Sequence, residues 1–588
     1  MYVCTQLTRK NKDLTKTKRM KHSNFKFPAL LIVVGFAMAA CGGLGKMAKY
    51  AETIEYNVDP EPLIVRGDSV ELNINGKFPG KYFSKKAMVT LTPNLTYDGG
   101  MTPYESVSFQ GEDAAGNATV IPYEAGKNFS YSDRIAYTSE MENSELMLNI
   151  LGKQGNKEQA FDPYKLADGV ITTPLLVMSD DMPIIAADEF QRITSHQADA
   201  TINYLVNSSY VRPSELRDDD IDALKDFLEE YASNEDYQFK GAEIVSYASP
   251  EGEISLNENL AQERAESAMK ALSRLMDRED MEYDKETFFQ LMPKGEDWAG
   301  FKEKMEASDI ADKELILRIL EMYSDVTKRE EEIRNLAATY TEVADKILPE
   351  LRRSQITVNY DIVGKSDEEI IALARSANAD SLNLEEMLYA ATLTEDMNEQ
   401  YAIYETTAST YPDDFRAHNN MGVIHLRKNE LSQAKTMFEN AMGKEESPVV
   451  KNNMAIVTRL NGDREGAMEM LEAAAGAGDE VNYNMGIIDI QNGDYSSAIQ
   501  NMKGYSTFNK ALAQVLAGNT ETAMKTVNDS DASDTAMGYY LKAIIGARMN
   551  DANAVSTNLD KAYSMDASLE EKAASDLEFR NFQGEAAE

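Results

Sequence analysis

The sequence predicts a multidomain protein with an N-terminal all-β sandwich, a central α+β domain that carries a helical insertion, and a C-terminal α-solenoid. Three observations predict this class. Apolar residues alternate with a period of two over residues 60–183, strands and amphipathic helices follow one another over residues 190–365, and related helical segments recur over residues 380–565. With 588 residues, the chain is long enough for several domains that each bury a core of their own.

The composition is strongly acidic. Asp and Glu number 99 against 59 Lys and Arg, which gives a formal net charge of −40. Such a chain is repelled by phosphate backbones and by anionic membrane surfaces, so nucleic acid is not an expected partner. The two cysteines, Cys4 and Cys41, form no pattern typical of a disulfide framework or a thiolate metal site.

Residues 28–40 form an apolar run that is too short for a comfortable transmembrane helix but typical of a secretory signal. The run ends in "AAC" and resembles a bacterial lipobox, in which cleavage precedes a cysteine that receives lipid. The resemblance implies that residues 1–40 are a signal peptide and that acyl chains on Cys41 hold the protein to the membrane. An ordinary cleaved signal or a short anchor is the alternative. Because a normal basic segment begins at Met20, translation is expected to start there.

Residues 41–59 are predicted to be a linker. In some Gram-negative groups an acidic cluster directly behind the lipidated cysteine signals surface display, and no such cluster follows Cys41. The expected location is therefore the outer membrane, with a lipid anchor on the periplasmic face.

The alternating region over residues 60–183 predicts a β-sandwich of about six to eight strands. In "DSVELNING", Val70, Leu72 and Ile74 fall on one face, and turn clusters such as "YDGG" and "GKQGN" separate the runs. No constellation of His, Cys or carboxylates indicates a function for this domain.

The central domain, over residues 190–365, begins with a strand that is expected to end near Asn207 and continues with an amphipathic helix. A second strand, "AEIVSYAS", leads through a Pro-Glu-Gly turn into a second amphipathic helix. A helical insertion at about 290–347 precedes a closing strand, "RRSQITVNYDIV". Trp298 and Phe301 are expected to attach this insertion to the core of the domain.

This order of elements resembles the OmpA-like peptidoglycan-binding domain, whose motif matches Tyr247, Ser249, Gly252, Asn257, Leu260, Arg264 and Ala265. In that family an Asp and an Arg clamp the diaminopimelate of the peptide stem, the carboxylate taking the ammonium and the guanidinium a carboxylate. The resemblance implies a peptidoglycan-binding site at Ser249, Gly252, Asn257 and Arg264.

Ser249 departs from the family pattern because it stands at the Asp position. A hydroxyl cannot neutralise an ammonium group. The absence of the carboxylate at this position is therefore expected to weaken binding by about 1.5 to 3 kcal/mol. Glu251 or Glu253 could substitute from the turn. In the alternative, Arg264 is structural and ties its helix to neighbouring carboxylates.

The C-terminal segments, such as "AHNNMGVIHLRKNELSQAKTMFENAM" and "NYNMGIIDIQNGDYSSAIQNM", resemble tetratricopeptide repeats. The resemblance places small residues where paired helices touch, at Gly422, Ala455 and Gly486, and in the second helices, at Ala434, Ala467 and Ala498. Stacked pairs would form a right-handed solenoid whose groove binds extended or helical segments of an envelope protein. Residues 566–588 are predicted to be a tail.

Catalysis finds little support in the sequence. The chain has four His residues and lacks the HExxH, GxSxG and Walker A motifs, so no enzyme activity, cofactor or metal is expected. The residues favour a lipid-anchored protein that contacts peptidoglycan and recruits a protein partner through its repeats. The alternative is a scaffold for secretion or outer-membrane assembly whose OmpA-like domain no longer binds peptidoglycan.

Overall fold

The computed structural model describes residues 43–582, apart from the side chains of residues 337 and 338. Within this range the chain forms two compact units. The first contains residues 43–176, Gln491–Gly493 and residues 518–582, and the second contains Val177–Ile490 and Asp494–Ala517. The predicted signal peptide, the start at Met20 and the lipidation site Cys41 lie outside the described residues.

The N-terminal part of the first unit is β-rich, as predicted. A short helix, α1 (Gly43–Lys49), precedes eleven strands: β1 (Glu55–Asp59), β2 (Val65–Arg66), β3 (Ser69–Phe78), β4 (Met88–Tyr97), β5 (Gly100–Pro103), β6 (Val107–Gly111), β7 (Thr119–Ile121), β8 (Lys127–Ala136), β9 (Ser144–Gln154), β10 (Lys157–Ala160) and β11 (Tyr164–Gly169). One sheet has the order β1-β3-β2 with β8 also paired to β3. The other has the order β10-β9-β4-β6-β7, with β11 on β9 and β5 on β4.

Alternation along the strands carries the side chains of Val70, Leu72 and Ile74 into the core, as the period of two predicts. Two expectations for this region are wrong. Ten strands, β2 to β11, lie within residues 60–183 instead of six to eight, because strands as short as β2 and β7 leave no periodic signal. The predicted linker is ordered from residue 43, because Leu44 and Met47 of α1 are buried in the core of the β region.

The second unit begins with residues 177–190, which form neither helix nor strand. The sequence analysis assigned residues 177–183 to the sandwich and left residues 184–189 between the two domains. The α+β elements follow: β12 (Ile193–Asn203), α2 (Asp219–Tyr231), β13 (Tyr237–Ala248), α3 (Ile254–Arg278), β14 (Phe289–Glu296) and β15 (Arg353–Val363). The sheet order is β12-β15-β13-β14, and only the β13–β14 pair is parallel. Ile244, Ala265, Leu272 and Val358 share the core between this sheet and its helices.

The insertion consists of four helices: α4 (Trp298–Ala307), α5 (Lys313–Met322), α6 (Val326–Arg334) and α7 (Ala337–Lys346). It begins later than the predicted residue 290, because residues 289–296 pair with β13 as a strand. Trp298 and Phe301 pack edge to face at 5.6 Å. They belong to a cluster formed by the insertion and the segment after it, which corrects the expectation that they join the core under the sheet.

The C-terminal part is a helical repeat region, as predicted. In the second unit its helices are α8 (Asp367–Ala374), α9 (Leu384–Ala390), α10 (Met397–Thr410), α11 (Arg416–Arg427), α12 (Leu431–Met442), α13 (Pro448–Leu460), α14 (Arg464–Glu472), α15 (Asp479–Asn492), α16 (Tyr495–Asn501) and α17 (Phe508–Leu516). In the first unit they are α18 (Thr520–Asn528), α19 (Ala536–Arg548), α20 (Ala552–Met565) and α21 (Ser568–Ser575). Along residues 43–582, no helix combines the length and the apolar character that a membrane crossing requires.

The predicted tail is folded as far as residue 582. Leu569 and Ala573 of α21 and the following Phe579 are buried, because their spacing lets them pack on the preceding helices. The Tyr540 hydroxyl donates to Asp576 over 2.7 Å, which fixes the segment after α21 to α19.

Candidate functional site

The residues of the predicted peptidoglycan site lie around the turn between β13 and α3. Gly252 has φ +105°, a backbone conformation that favours glycine. The side chain of Asn257, in the first turns of α3, donates to the carbonyl of Glu251 over 3.2 Å and to Glu296 over 2.9 Å. The turn is therefore held by internal hydrogen bonds.

Arg264 is 1% exposed, and its guanidinium is directed at backbone carbonyls. Nε donates to the carbonyl of Ser208 over 3.0 Å, Nη1 to that of Tyr247 over 2.8 Å and Nη2 to that of Leu205 over 3.2 Å. Burial lowers the pKa of Arg264 to about 10. These contacts tie α3 to the end of β13 and to the loop after β12. The sequence analysis gave neighbouring carboxylates as the partners of a structural Arg264, but its partners are backbone carbonyls.

The space beside Ser249 is occupied by an ion pair of the chain itself. Arg352 Nη2 lies 2.7 Å from Oε1 of Glu251, and the hydroxyl of Ser249 donates to the same oxygen over 2.8 Å. Arg352 Nε also lies 3.2 Å from Ser249 Oγ. The charge of Glu251 is thus neutralised by Arg352. An ammonium group of a ligand would have to displace Arg352 to reach this carboxylate. Glu253 is exposed to solvent.

The insertion covers the same turn. Pro250, Trp298, Phe301 and Ile333 line a space of about 10 Å³, which is no larger than a single water needs. The backbone amide of Gly252 donates to the Glu330 carboxylate, and burial raises the pKa of Glu330 to about 7. The turn that the family resemblance assigns to a ligand is therefore packed against α4 and α6.

A second arrangement lies on the repeats of the same unit. Residues 178–186, here called the strap, run in an extended conformation along α17, α15, α13 and α11. In each helix one buried asparagine accepts a backbone N–H of the strap, and we call these four residues the asparagine row: Asn509, Asn484, Asn453 and Asn420.

Each carboxamide of the asparagine row binds both backbone groups of one strap residue. Its oxygen accepts the N–H and its nitrogen donates to the C=O, with all eight distances between 2.7 and 3.0 Å. The pairs are Asn509 with Met178, Asn484 with Met182, Asn453 with Ile184 and Asn420 with Ala186. Each carboxamide therefore makes the same pair of hydrogen bonds that a residue of a neighbouring antiparallel strand would make.

Two further asparagines support the row. Asn419 and Asn452 each donate to a strap carbonyl over 3.2 Å, at Ile184 and Met182 respectively. Each also accepts from the asparagine row of the next repeat: Asn453 donates to Asn419 over 2.8 Å and Asn484 donates to Asn452 over 2.9 Å. All six of these asparagines are at most 1% exposed, so the strap and the carboxamides satisfy one another without solvent.

Two adjacent carboxylates of the strap have partners on the repeats. Asp181 pairs with Arg459 of α13, and Asp180 accepts from the Tyr483 hydroxyl over 2.7 Å and from Asn509 over 2.6 Å. Burial raises the pKa of Asp180 above its usual range.

The apolar side chains of the strap complete the contact. Ile185 packs on the cluster that contains Val423 and Phe438, and Ile184 packs on the next cluster along the repeats. The strap is thus bound through its backbone, its charges and its apolar groups.

The small residues singled out in the repeats lie at helix contacts. A Cβ on Gly422 would come within 2.4 Å of the Phe438 ring in α12, and one on Gly486 within 2.8 Å of Met502 after α16. The four alanines have no exposed surface: Ala434, Ala455, Ala467 and Ala498.

The sequence analysis did not identify the asparagines. The signal was present as "NNMG", "NNMA" and "YNMG", in which an asparagine precedes Met and a small residue once per repeat. Asparagine disfavours helix interiors, so its recurrence there on the buried side required a polar partner. That partner comes from a segment distant in sequence.

The described residues contain no group of three or more His, Cys, Asp or Glu side chains that could hold a metal ion. His425 Nδ1 lies 2.6 Å from Glu430 Oε2, and burial lowers the pKa of His418. Both residues lie in α11.

No protein-family model and no curated protein matches the chain. Solved structures that match include a tetratricopeptide repeat protein from Parabacteroides merdae, with 14% identity, a TM-score of 0.28 and coverage of 35% of this chain and 88% of that one. PilF of Pseudomonas aeruginosa matches with 14% identity, a TM-score of 0.28 and coverage of 38% and 100%. YrrB, described as a TPR protein with an unusual peptide-binding site, matches with 16% identity, a TM-score of 0.20 and coverage of 35% and 98%.

Proposed function

We propose that this protein is a non-enzymatic interaction scaffold of the cell envelope, whose helical repeats hold an extended polypeptide segment and recruit a protein partner. The observation that carries the proposal is the asparagine row, in which four carboxamides each bind the N–H and C=O of one residue of the strap. Recognition through main-chain groups is a recurring way to bind an extended peptide. The envelope location rests on the lipobox-like sequence that ends at Cys41.

In this proposal the α+β domain is structural and does not bind peptidoglycan. Arg264 donates to three backbone carbonyls, and Glu251 is paired with Arg352. To bind a stem peptide, Arg264 and Glu251 would have to break these contacts. The groups left without a partner would then carry an unfavourable free energy that weakens binding. The matched family residues and the order of strands and helices favour peptidoglycan contact as the second candidate.

A sedimentation experiment separates these candidates. The full chain from Cys41 onward is mixed with purified peptidoglycan at low salt, where a single charge pair is least screened. We expect no retention, and we expect Ser249→Asp to create none. Retention that is lost in Arg264→Lys, with the circular dichroism spectrum unchanged, would overturn the structural role and favour peptidoglycan binding.

Site-specific crosslinking in cells tests recruitment by the repeats. A photoreactive residue replaces Met397 on α10, and a matched position in the β region, the exposed Met101, serves as the control. We expect one reproducible protein adduct at Met397 that is absent at Met101. Adducts at Met101 alone would contradict recruitment through the repeats.

A further inference from the structure

The asparagine row recognises the main chain, so its selection for an extended segment does not depend on side chains. The row contacts residues 178, 182, 184 and 186, and the even spacing along 182–186 matches the period of a strand. Pro183 has no N–H to donate, and it falls between two contacted residues. A proline at that place is therefore compatible with the site.

The side chains of the strap add specificity. Asp181 reaches Arg459 with both carboxylate oxygens, Asp180 reaches Tyr483, and Ile184 and Ile185 fill apolar sites between the repeats. Arg459 has a planar guanidinium suited to a carboxylate, so it selects for an acid at this place. The sequence that satisfies the whole site is two adjacent carboxylates, one intervening residue, a proline and two aliphatic residues.

The buried asparagines do not tolerate an empty site. With the strap removed, six carboxamides and one guanidinium would lose the hydrogen-bond partners that the strap provides. Such groups need either water or another segment that offers the same hydrogen bonds. The site therefore has the properties of a binding site that is already filled.

We infer that the strap is an internal ligand that closes the peptide site of the repeats, and that the external ligand is an extended segment of the same pattern, acidic at its start and aliphatic after it. The inference rests on the proposed function and names the ligand class of the same repeats. A tethered segment acts at an effective concentration on the order of millimolar. If the free peptide binds the open site with a Kd of about 10 μM, the closed chain will bind it about 100-fold more weakly.

The test uses a fluorescent synthetic peptide, VMSDDMPIIAADEF, which has the sequence of residues 177–190. It is titrated into the full chain from Cys41 onward and into a variant in which residues 178–186 are replaced by a Gly-Ser repeat of equal length. We expect the variant to bind the peptide and the unaltered chain to bind it about 100-fold more weakly. Equal binding by both chains, or no binding by a folded variant, would overturn the inference.

Two controls check that binding uses the described contacts. In the strap-replaced chain, Asn484→Ala should reduce affinity at least tenfold, whereas Asn440→Ala, at an exposed asparagine on α12, should not change it. A peptide with Asp181→Lys should also bind at least tenfold more weakly, because it places a cation against Arg459. If neither Asn484→Ala in the chain nor Asp181→Lys in the peptide weakens binding, the peptide occupies another surface, which contradicts the inference.

A second measurement covers the case in which the replaced chain does not fold. Hydrogen exchange of the strap amides is followed in the unaltered chain with and without millimolar peptide. Increased exchange at Met182 and Ile184 supports displacement, and unchanged exchange overturns it. If peptide binding fails while the crosslink at Met397 persists, the internal-ligand inference alone is wrong; if both fail, the proposed function is wrong.

Discussion

Asp181 and Arg459 lie 278 residues apart in the sequence and form a two-point ion pair. Nε of Arg459 is 2.8 Å from Oδ1 of Asp181, and Nη2 is 2.5 Å from Oδ2. The side chains are 6% and 3% exposed respectively. A pair with this geometry binds the strap to α13 at a place where solvent cannot substitute for either partner.

Arg459→Met should lower the stability of the second unit by about 3 to 5 kcal/mol, because it leaves the Asp181 carboxylate buried without its partner. The double variant with Asp181→Asn should lose less than the sum of the two single variants. Urea unfolding followed by the fluorescence of Trp298, the single tryptophan, measures the stability of this unit. Additivity within about 0.5 kcal/mol would mean that the two side chains do not interact.

Asn453→Ala should release the strap locally. The N–H of Ile184 loses its partner, while the C=O keeps only the longer hydrogen bond from Asn419, at 3.2 Å. An unsatisfied buried group of this kind costs about 1 to 3 kcal/mol. Hydrogen exchange at Ile184 should accelerate accordingly. Asn440→Ala is the matched control and should leave the exchange of the strap unchanged; equal protection in both variants would exclude a role for the carboxamide.

Gly422→Leu should destabilise the repeats by about 1 to 3 kcal/mol, because even a Cβ would lie 2.4 Å from the Phe438 ring. Gly443→Ala is the matched control, since its Cβ meets no atom closer than 3.4 Å and its φ of −66° suits any residue. Thermal unfolding of the two variants measures the difference. A tolerated leucine would show that α11 and α12 can separate without loss.

Glu330→Gln should change the pH dependence of stability. The pKa of Glu330 is raised by burial from 4.5 to about 7, so the folded state binds its proton more tightly than the unfolded state does. The contribution of this group to stability therefore falls as the pH rises from about 4.5 to about 7. At pH 8 the variant should be more stable than the unaltered chain by about 1 to 3 kcal/mol, and the difference should vanish near pH 4. Urea unfolding at both pH values measures it, and a constant difference would rule out this titration.

Cys41→Ala should leave an unlipidated precursor that no longer fractionates with the outer membrane, because acyl chains provide the proposed anchor. Cys4→Ala is the control and should have no effect, since translation is expected to start at Met20. Mass spectrometry of the N-terminal peptide and membrane fractionation measure the outcome. Normal fractionation of Cys41→Ala would contradict the lipid anchor.

The sequence by itself determined the elements whose signal is local. The alternation around Val70 and Leu72 predicted strands, and the amphipathic pattern after Asn207 predicted α2, whose Ile221, Leu224 and Leu228 are buried. The recurrence of paired helices predicted the repeat region for the same reason. Elements of two or three residues, such as β2 and β7, could not be predicted, because they are too short to show a period.

Only the tertiary structure decided what the candidate sites contact. The motif around Arg264 resembles a ligand clamp, yet its guanidinium binds the carbonyls of Leu205, Ser208 and Tyr247, and nothing in the spacing of the motif reveals those partners. The asparagine row was visible as a recurring residue, but its ligand lies 234 to 331 residues away along the chain. Periodicity reports which face of an element is buried; the identity of the group that satisfies a buried carboxamide or guanidinium depends on long-range packing, which local sequence does not encode.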